Sequence, residues 1–490
     1  MSKKEKKVIG NEAIYDARVL GKGKMTVLGI QHMFAMFGAT VLVPMLTGLS
    51  ISTTLLFACL GTLLFHFITG GKVPAFLGSS FAFLGGYGAI APLAGQDGMT
   101  NAQLLPYACL GVACAGLLYL VLATLIRIIG IKRVMKFFPP VVTGPIIICV
   151  GLQLAGGAVE NCATNWLIAL VALFVVIIFN IWGKGMAKIV PIVLGVLCAY
   201  AVAVGLDIAS AINPELTKAA PAIFTGKNVD FTPVVNVFNN IASGNIWNNL
   251  VGVPIKKEAT VLAIDWSNTS LIVSSIVAIV PLALATMMEH IGDISAISST
   301  VGKNYIKKPG LHRTLIGDGL ATTLASLFGA PANTTYGENT GVLVLTRVYD
   351  PKVVRIAAYF AGCISFLPIV AAAIETIPTA VIGGISFVLY GMIAAVGVRN
   401  IVESKVDFTK SRNLIIAAVI LVSTFGINAI GRISFNVTGL TISLTGLAVA
   451  SIAGILLNAI LPGKDYEFDT EEELEEAIEE SIDEVEDTAE

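Results

Sequence analysis

Charge is what this chain has least of. Of its 490 residues only 13% are charged while 55% are hydrophobic, and the mean hydropathy is +0.83, outside the range of water-soluble domains. A soluble enzyme is excluded. The seven cysteines (Cys59, Cys109, Cys114, Cys149, Cys162, Cys198 and Cys363) form no CxxC pair and lie almost wholly in apolar runs, so they read as small core residues and no metal site is expected. No GxxxxGK[ST] motif occurs, which argues against a primary pump. A nucleophile-base pair and any cofactor motif are also lacking, which disfavours a membrane enzyme. No cofactor and no nucleic-acid partner are expected.

What the chain does have is long apolar runs. They recur at 26–47, 52–70, 76–94, 104–129, 138–157, 164–182, 187–208, 269–289, 313–330, 334–348, 354–376, 378–397, 413–430 and 436–461. Most are long enough to carry a helix across about 30 Å of hydrocarbon. The expectation is an all-α polytopic membrane protein of fourteen spans, with the third, ninth and tenth short or polar. The first run follows a basic "MSKKEKK" at some distance and has no evident cleavage site; it reads as a retained helix.

Lysine and arginine test that count, because they concentrate on the cytoplasmic side of short loops. With the N-terminus inside, 26 of the 31 cations fall in internal segments; Lys218, Lys227, Lys256, Lys257 and Arg432 fall outside. Both ends are therefore expected in the cytoplasm of a cell membrane protein. The long polar stretch 209–268 then reads as an external linker between two halves of seven spans. Because seven is odd, homologous halves would be inverted, an arrangement common among secondary transporters. The third span begins "VPAFLGSSFAF" (73–83) and the tenth "APANTTYGEN" (330–339). Each runs Pro-Ala, small hydroxyl residues, then an aromatic, and interrupted segments at matching places of two halves point to a midplane binding site. Their serines, threonines and glycines could instead serve only close helix packing.

Four acids lie in or beside apolar runs: Glu289 and Asp293 in "LATMMEHIGDISAI", Asp318 in "LIGDGLATTL", and Glu338 in "TTYGENTGVLVLTR". A charge at the centre of a spanning helix costs roughly 2.5–3.5 kcal/mol on insertion scales, so such groups face a cavity, pair, or stay protonated. Glu289 and Asp293 are four apart and share a helix face, with His290 turned aside by about 100°. They could also be merely wet, at the end of the eighth span. A buried carboxyl that binds a proton on one side of the membrane and releases it on the other can couple transport to protons. A flat heterocycle with adjacent C=O and N–H groups would match two such carboxyls and nearby backbone amides. The tail 465–490, a like-charge block, carries no identifiable transport chemistry.

"ENTGVLVLTR" (338–347) and "QHMFAMFGATVLVPML" (31–46), with "VPAFLGSSFAF", "EHIG", "GLHR" and "ESKVDF", resemble the nucleobase-ascorbate transporter family over about residues 26–461. "NTTYGEN" and "TRVY" are most similar to its uracil branch. The resemblance implies fourteen spans in a 7+7 inverted repeat, with short strands in interrupted spans 3 and 10. It implies a cytoplasmic N-terminus (1–25), a core domain (26–137 and 269–377), a gate domain (138–208 and 378–461), the linker 209–268 and the tail 462–490. By matching positions, Glu289 and Glu338 would hydrogen-bond a pyrimidine, and the backbones of Phe81 and Gly337 would meet its polar edge. Ala39, Ser80 and Tyr336 would line the pocket, and Tyr390 would approach from the gate. Proton coupling would involve Glu289, Glu338, Asp293, Asp318 and, more weakly, His32. The implied activity is proton-coupled import of uracil, with a homodimer through the gate domain.

Two positions depart from the uracil pattern. Asp293 stands where a histidine is expected one turn after the helix-8 glutamate, and Asp318 where an asparagine is expected in span 9. Both acids are more typical of the xanthine and urate branch, which is the alternative, although that branch usually has glutamine at the place of Glu338. Asp293 is accordingly expected to be the hydrogen-bond partner of Glu338. An anion exchanger or channel of related architecture is a further alternative, disfavoured by the two carboxyls. His66 and His312 are expected to be structural or loop residues.

Overall fold

The computed structural model describes residues 9–10, 12–96, 98–130, 133–134, 136, 138–243, 251–437 and 440–463. The acidic tail lies outside the described residues. The chain is mostly helical, and helix ends fall where capping chemistry places them. α1 (Lys22–Thr47) stops at Gly48, whose φ of 83° is the left-handed cap that glycine adopts without a Cβ penalty. α2 (Ile51–Ile68) starts at Ser50, whose hydroxyl accepts from the Thr53 amide. β1 (Leu77–Ser79) and α3 (Leu84–Ile90) follow. α4 (Asn101–Ile129) opens on a capping box between Thr100 and Gln103. Next come α5 (Pro140–Gln153), α6 (Ala155–Ala163), α7 (Trp166–Trp182) and α8 (Pro191–Ile212).

After α9 (Thr232–Ala242), the second half runs through α10 (Thr269–Ile279), α11 (Leu282–Val301), α12 (Leu311–Leu327), β2 (Asn333–Thr335) and α13 (Gly337–Thr346). It continues with α14 (Pro351–Ser365), α15 (Pro368–Glu375), α16 (Thr379–Glu403) and α17 (Ser411–Ala429). A hairpin of β3 (Ile433–Val437) and β4 (Leu440–Leu444) leads to α18 (Gly446–Ile460). Among the described residues, eight helices are long and apolar enough to cross a membrane; α10 and α11 count there as one of 33 residues. The total is nine if α14 and α15, bent by 84°, form one span. Phe81–Ile90, Trp166–Trp182 and Gly446–Ile460 are apolar but shorter.

Packing sorts the helices into two sets. α1, α2, α4, α10, α12, α13 and α14 pack on one another, with α4 against α12 as the broadest face; α16 packs on α5, α6 and α7, α8 on α7, and α17 on α18 and α5. α4 and α12 approach at glycines. A Cβ on Gly116 would meet the Gly319 carbonyl oxygen at 2.7 Å, and one on Gly319 would meet the Gly116 oxygen at the same distance, the close crossing that small residues permit in membranes. Gly116→Val should therefore push these two helices apart, destabilising the protein by about 3 kcal/mol. Thermal unfolding of the purified protein checks this; an unchanged transition would mean that the crossing tolerates separation.

Two expectations are revised. The eighth span was expected to end near 289, but α11 continues to Val301, with the hydroxyls of its polar stretch satisfied by carbonyls one turn earlier: Ser295 by Ile291 and Ser298 by Ile294. The last run, expected as a span from 436, is first a hairpin and becomes helical only at Gly446. The described part of 209–268 is tied to the helices: Asp207 of α8 accepts from the Asn228 and Val229 amides at 2.9 Å, Asn165 at the start of α7 donates to the Ile223 carbonyl, and Gly252 donates to Phe366 at the end of α14.

Candidate functional site

The two interrupted segments meet. β1 and β2 pair antiparallel with Leu77 opposite Thr335, Gly78 opposite Thr334 and Ser79 opposite Asn333. The ladder extends by one bond at each end, Ser80 N–H to the Ala332 carbonyl at 2.9 Å and Tyr336 N–H to Phe76 at 3.0 Å. Both strands are buried, so this pairing is where their backbone polar groups are satisfied. Each strand then turns into a short helix, and α13 begins at Tyr336 without a side-chain cap. The amides of its first turn have no partner within the helix and carry partial positive charge.

Glu338 sits in that first turn, half-buried, on the wall of a cavity of about 560 Å³. Gly337 beside it is exposed, and a Cβ there would meet only Asp293 Oδ1, at 3.6 Å; the glycine leaves space in front of the backbone amides. Glu289, on α11, is solvent-accessible and within electrostatic reach of Glu338 and Asp318. The two glutamates thus stand on helices that pack on one another, α11 and α13. α1 contributes Ala35 and Gly38 to the cavity wall, and the α7–α8 turn contributes Lys184 and Lys188. Ala39 is fully buried one position away. Ser80 is buried and Phe81 half-buried.

Tyr336 does not point its hydroxyl into the cavity. It donates to the Ser79 carbonyl at 2.7 Å and accepts from Thr40 Oγ1 at 3.3 Å, so it locks α1 to the strand crossing. Gly78 makes room for it: a Cβ there would meet the Tyr336 ring at 2.6 Å. Tyr390 is buried with Val43, Leu84 and Ala158, with Phe81 packed on the cluster. It borders a second cleft of about 720 Å³, which meets α1 at Leu46 and Thr47. Gly38 and Leu46 are eight residues apart, about 12 Å along a helix, so the cluster of Val43, Phe81 and Tyr390 lies between the two clefts.

The aspartates are tied into the structure. Asp318 is fully buried; its Oδ1 accepts from the Thr335 amide at 3.0 Å, and its Oδ2 lies 3.6 Å from His290 Nδ1. The expected bond between Asp293 and Glu338 is not formed. Asp293 Oδ2 instead accepts from the Thr335 hydroxyl at 3.0 Å, because α11 passes over the end of β2 one turn beyond Glu289. The same hydroxyl lies 3.2 Å from His290 Nδ1. With its hydrogen given to Asp293, Thr335 Oγ1 can serve the ring only as an acceptor, in the tautomer that carries hydrogen on Nδ1. His32 is buried, and the Asn339 amide donates to its Nδ1 at 3.2 Å and to its carbonyl at 3.1 Å, which ties α1 to α13. His66 is buried too, with Nε2 2.9 Å from the Ala75 carbonyl.

Thr335 is the residue that sequence reasoning missed; a threonine among small residues carried no signal beyond packing. It joins Asp293, Asp318 and His290, from two helices, to β2. Thr335→Val, nearly isosteric, should leave Asp293 and His290 each short of a partner and cost about 2 kcal/mol, with Thr335→Ser recovering most of it. Thermal unfolding of the three proteins checks this, and equal stability would show that the hydroxyl is dispensable.

A family model described as "Permease family" matches residues 23–433. The chain is 40% identical over 453 residues to the uracil permease of Bacillus caldolyticus, covering 90% of this chain and 93% of that one. It is 38% identical to the uracil permease of Bacillus subtilis (strain 168), covering 91% and 94%. To that of Escherichia coli (strain K12) it is 35% identical, covering 88% and 90%. Among solved structures, the transmembrane domain of a cyanobacterium bicarbonate transporter, BicA, aligns with a TM-score of 0.55 at 14% identity, covering 91% of this chain and 99% of that one. SLC26A9 aligns at 0.52 and 13% identity, covering 91% and 66%. These two show a shared fold and nothing about cargo.

Proposed function

This chain belongs to the permease family, and from that premise we propose that it is a proton-coupled carrier importing uracil across the cytoplasmic membrane by alternating access. The observation that carries the reading is the convergence of Glu289 and Glu338, from two helices, beside uncapped backbone amides and a cavity. Two carboxyls can accept N–H or donate O–H, and amides donate to C=O; a pyrimidine edge presents both. The permeases 35–40% identical over nearly the whole chain are named for uracil, which supports that cargo over xanthine or urate. Asp318 is spent on the Thr335 amide, so its departure from the uracil pattern is compatible with an unchanged substrate contact.

In this reading the first packing set, with β1 and β2, is the core (26–137 and 269–377), and the second is the gate (138–208 and 378–461). Fourteen spans in a 7+7 inverted repeat and cytoplasmic termini are part of it, supported by the strand pair and the lysine and arginine bias. The cavity at Glu338 opens beside Lys184 and Lys188, on the side that bias places inward, and the Val43, Phe81 and Tyr390 cluster separates it from the opposite cleft. A homodimer through the gate rests on the family resemblance alone. The test is radiolabelled uracil uptake into liposomes containing the purified protein, with and without an inward proton gradient. Accumulation only with the gradient is expected; equal uptake in both conditions would remove the coupling, and no uracil uptake would remove the substrate.

A further inference from the structure

A second concavity, of about 500 Å³, lies away from the transport cavity, where the N-terminal segment meets the loop after α11 and the start of α14. Lys72, Lys303, Lys308, Lys352 and Arg355 line it, drawn from three separate stretches of chain, and Asp350 is the one acid on its wall. We infer that this concavity binds a phosphate-bearing anion, a site beyond the proposed transport function.

Asp350 cannot balance those cations, because its carboxylate is already engaged. It accepts from the Ala17 and Lys352 amides at 2.9 Å, capping α14, and lies 3.6 Å from Lys352 Nζ. Asp16, nearby, is held by Arg18 at 2.7–3.0 Å, a pairing that keeps its carboxyl well below the usual range, and it also lies 3.7 Å from Lys352 Nζ. Lys303 lies 4.1 Å above the Tyr15 ring, a contact that fixes its direction without cancelling its charge. Among the described residues, the side chains of Lys72, Lys308 and Arg355 have no hydrogen-bond or acidic partner.

The bias of cations toward one membrane face explains why lysines occur here. It does not explain why four lysines and an arginine converge on one concavity, where their mutual repulsion is unfavourable and their summed field is focused on an incoming anion. A phosphate group offers several acceptor oxygens and more than one negative charge, matching several donors at once. The volume lies within the roughly 300–1,000 Å³ of small-molecule sites. A soluble phosphate ester and a lipid headgroup share this chemistry.

The test titrates inorganic pyrophosphate into the full-length protein by calorimetry, in nanodiscs of phosphatidylcholine and, in parallel, in discs containing phosphatidylglycerol. The control is Lys72→Gln/Lys308→Gln, two exposed positions whose exchange does not threaten folding. Saturable binding in phosphatidylcholine discs, weakened at least about tenfold in the double variant, is the expected result. The same affinity in both discs identifies a soluble anion as the occupant; competition by phosphatidylglycerol that the double variant abolishes identifies a lipid headgroup. Absence of saturable binding in phosphatidylcholine discs, or binding equal in the variant, overturns the inference. Neither outcome depends on uracil transport, so failure of the proposed function would be seen separately.

Discussion

A Glu338→Gln carrier is expected to lose gradient-driven accumulation of uracil altogether while still binding uracil, weakened about tenfold. Glutamine keeps the length of the side chain and an oxygen that accepts a hydrogen bond, so the contact to substrate N–H persists in neutral form; a charged hydrogen bond contributes about 1.5–3 kcal/mol and a neutral one about 1. What glutamine cannot do is bind and release a proton. Since Glu338 lies in the first turn of α13 and on the cavity wall, a proton held there is exposed to whichever compartment the cavity faces. Uptake measured against a proton gradient, with binding measured separately in detergent, distinguishes the two effects. Accumulation that survives in the variant would place the coupling proton elsewhere, with Glu289 the next group to examine.

The reason these acids could be read from sequence is that the bilayer makes them costly. In an otherwise apolar chain each buried carboxyl stands out, and the matched segments 73–83 and 330–339 stood out for their polarity at corresponding places of two halves. The strand pair, with Gly78 opposite Thr334, lies within those segments. Residues whose polarity is spent locally were harder to read. The serines of α11 bond to their own helix, so a stretch that reads as a loop is helix, and Asp293 lies inside the helix and not beyond its end. Thr335 was silent because its role depends on register: one residue earlier or later, its hydroxyl would face away from Asp293. Asp293 and Asp318 were read as reporters of substrate, but each bonds to Thr335. Sequence shows that a charge is present, whereas only the fold shows which neighbour it serves.

The second large effect concerns movement. At the wall of the cavity, α1 of the first packing set touches the start of α8 of the second, and a Cβ on Gly38 would lie 3.1 Å from Ile192 Cβ. Paired cysteines need Cβ atoms about 3.5–4.5 Å apart, so a Gly38→Cys/Ile192→Cys pair comes within reach after a shift of under about 1 Å. It would be made in a background where Cys198 and Cys363, both exposed, are replaced by serine. If transport requires the two helix sets to move past one another, oxidation should abolish uptake, reduction should restore it, and uracil binding should change little, because neither position supplies a polar group to the site. The intermolecular alternative is visible as a dimer band on a non-reducing gel. Full uptake with the intramolecular bond shown by mass spectrometry to be complete would mean that this seam stays closed through the cycle, and the moving boundary would then have to lie elsewhere in the fold.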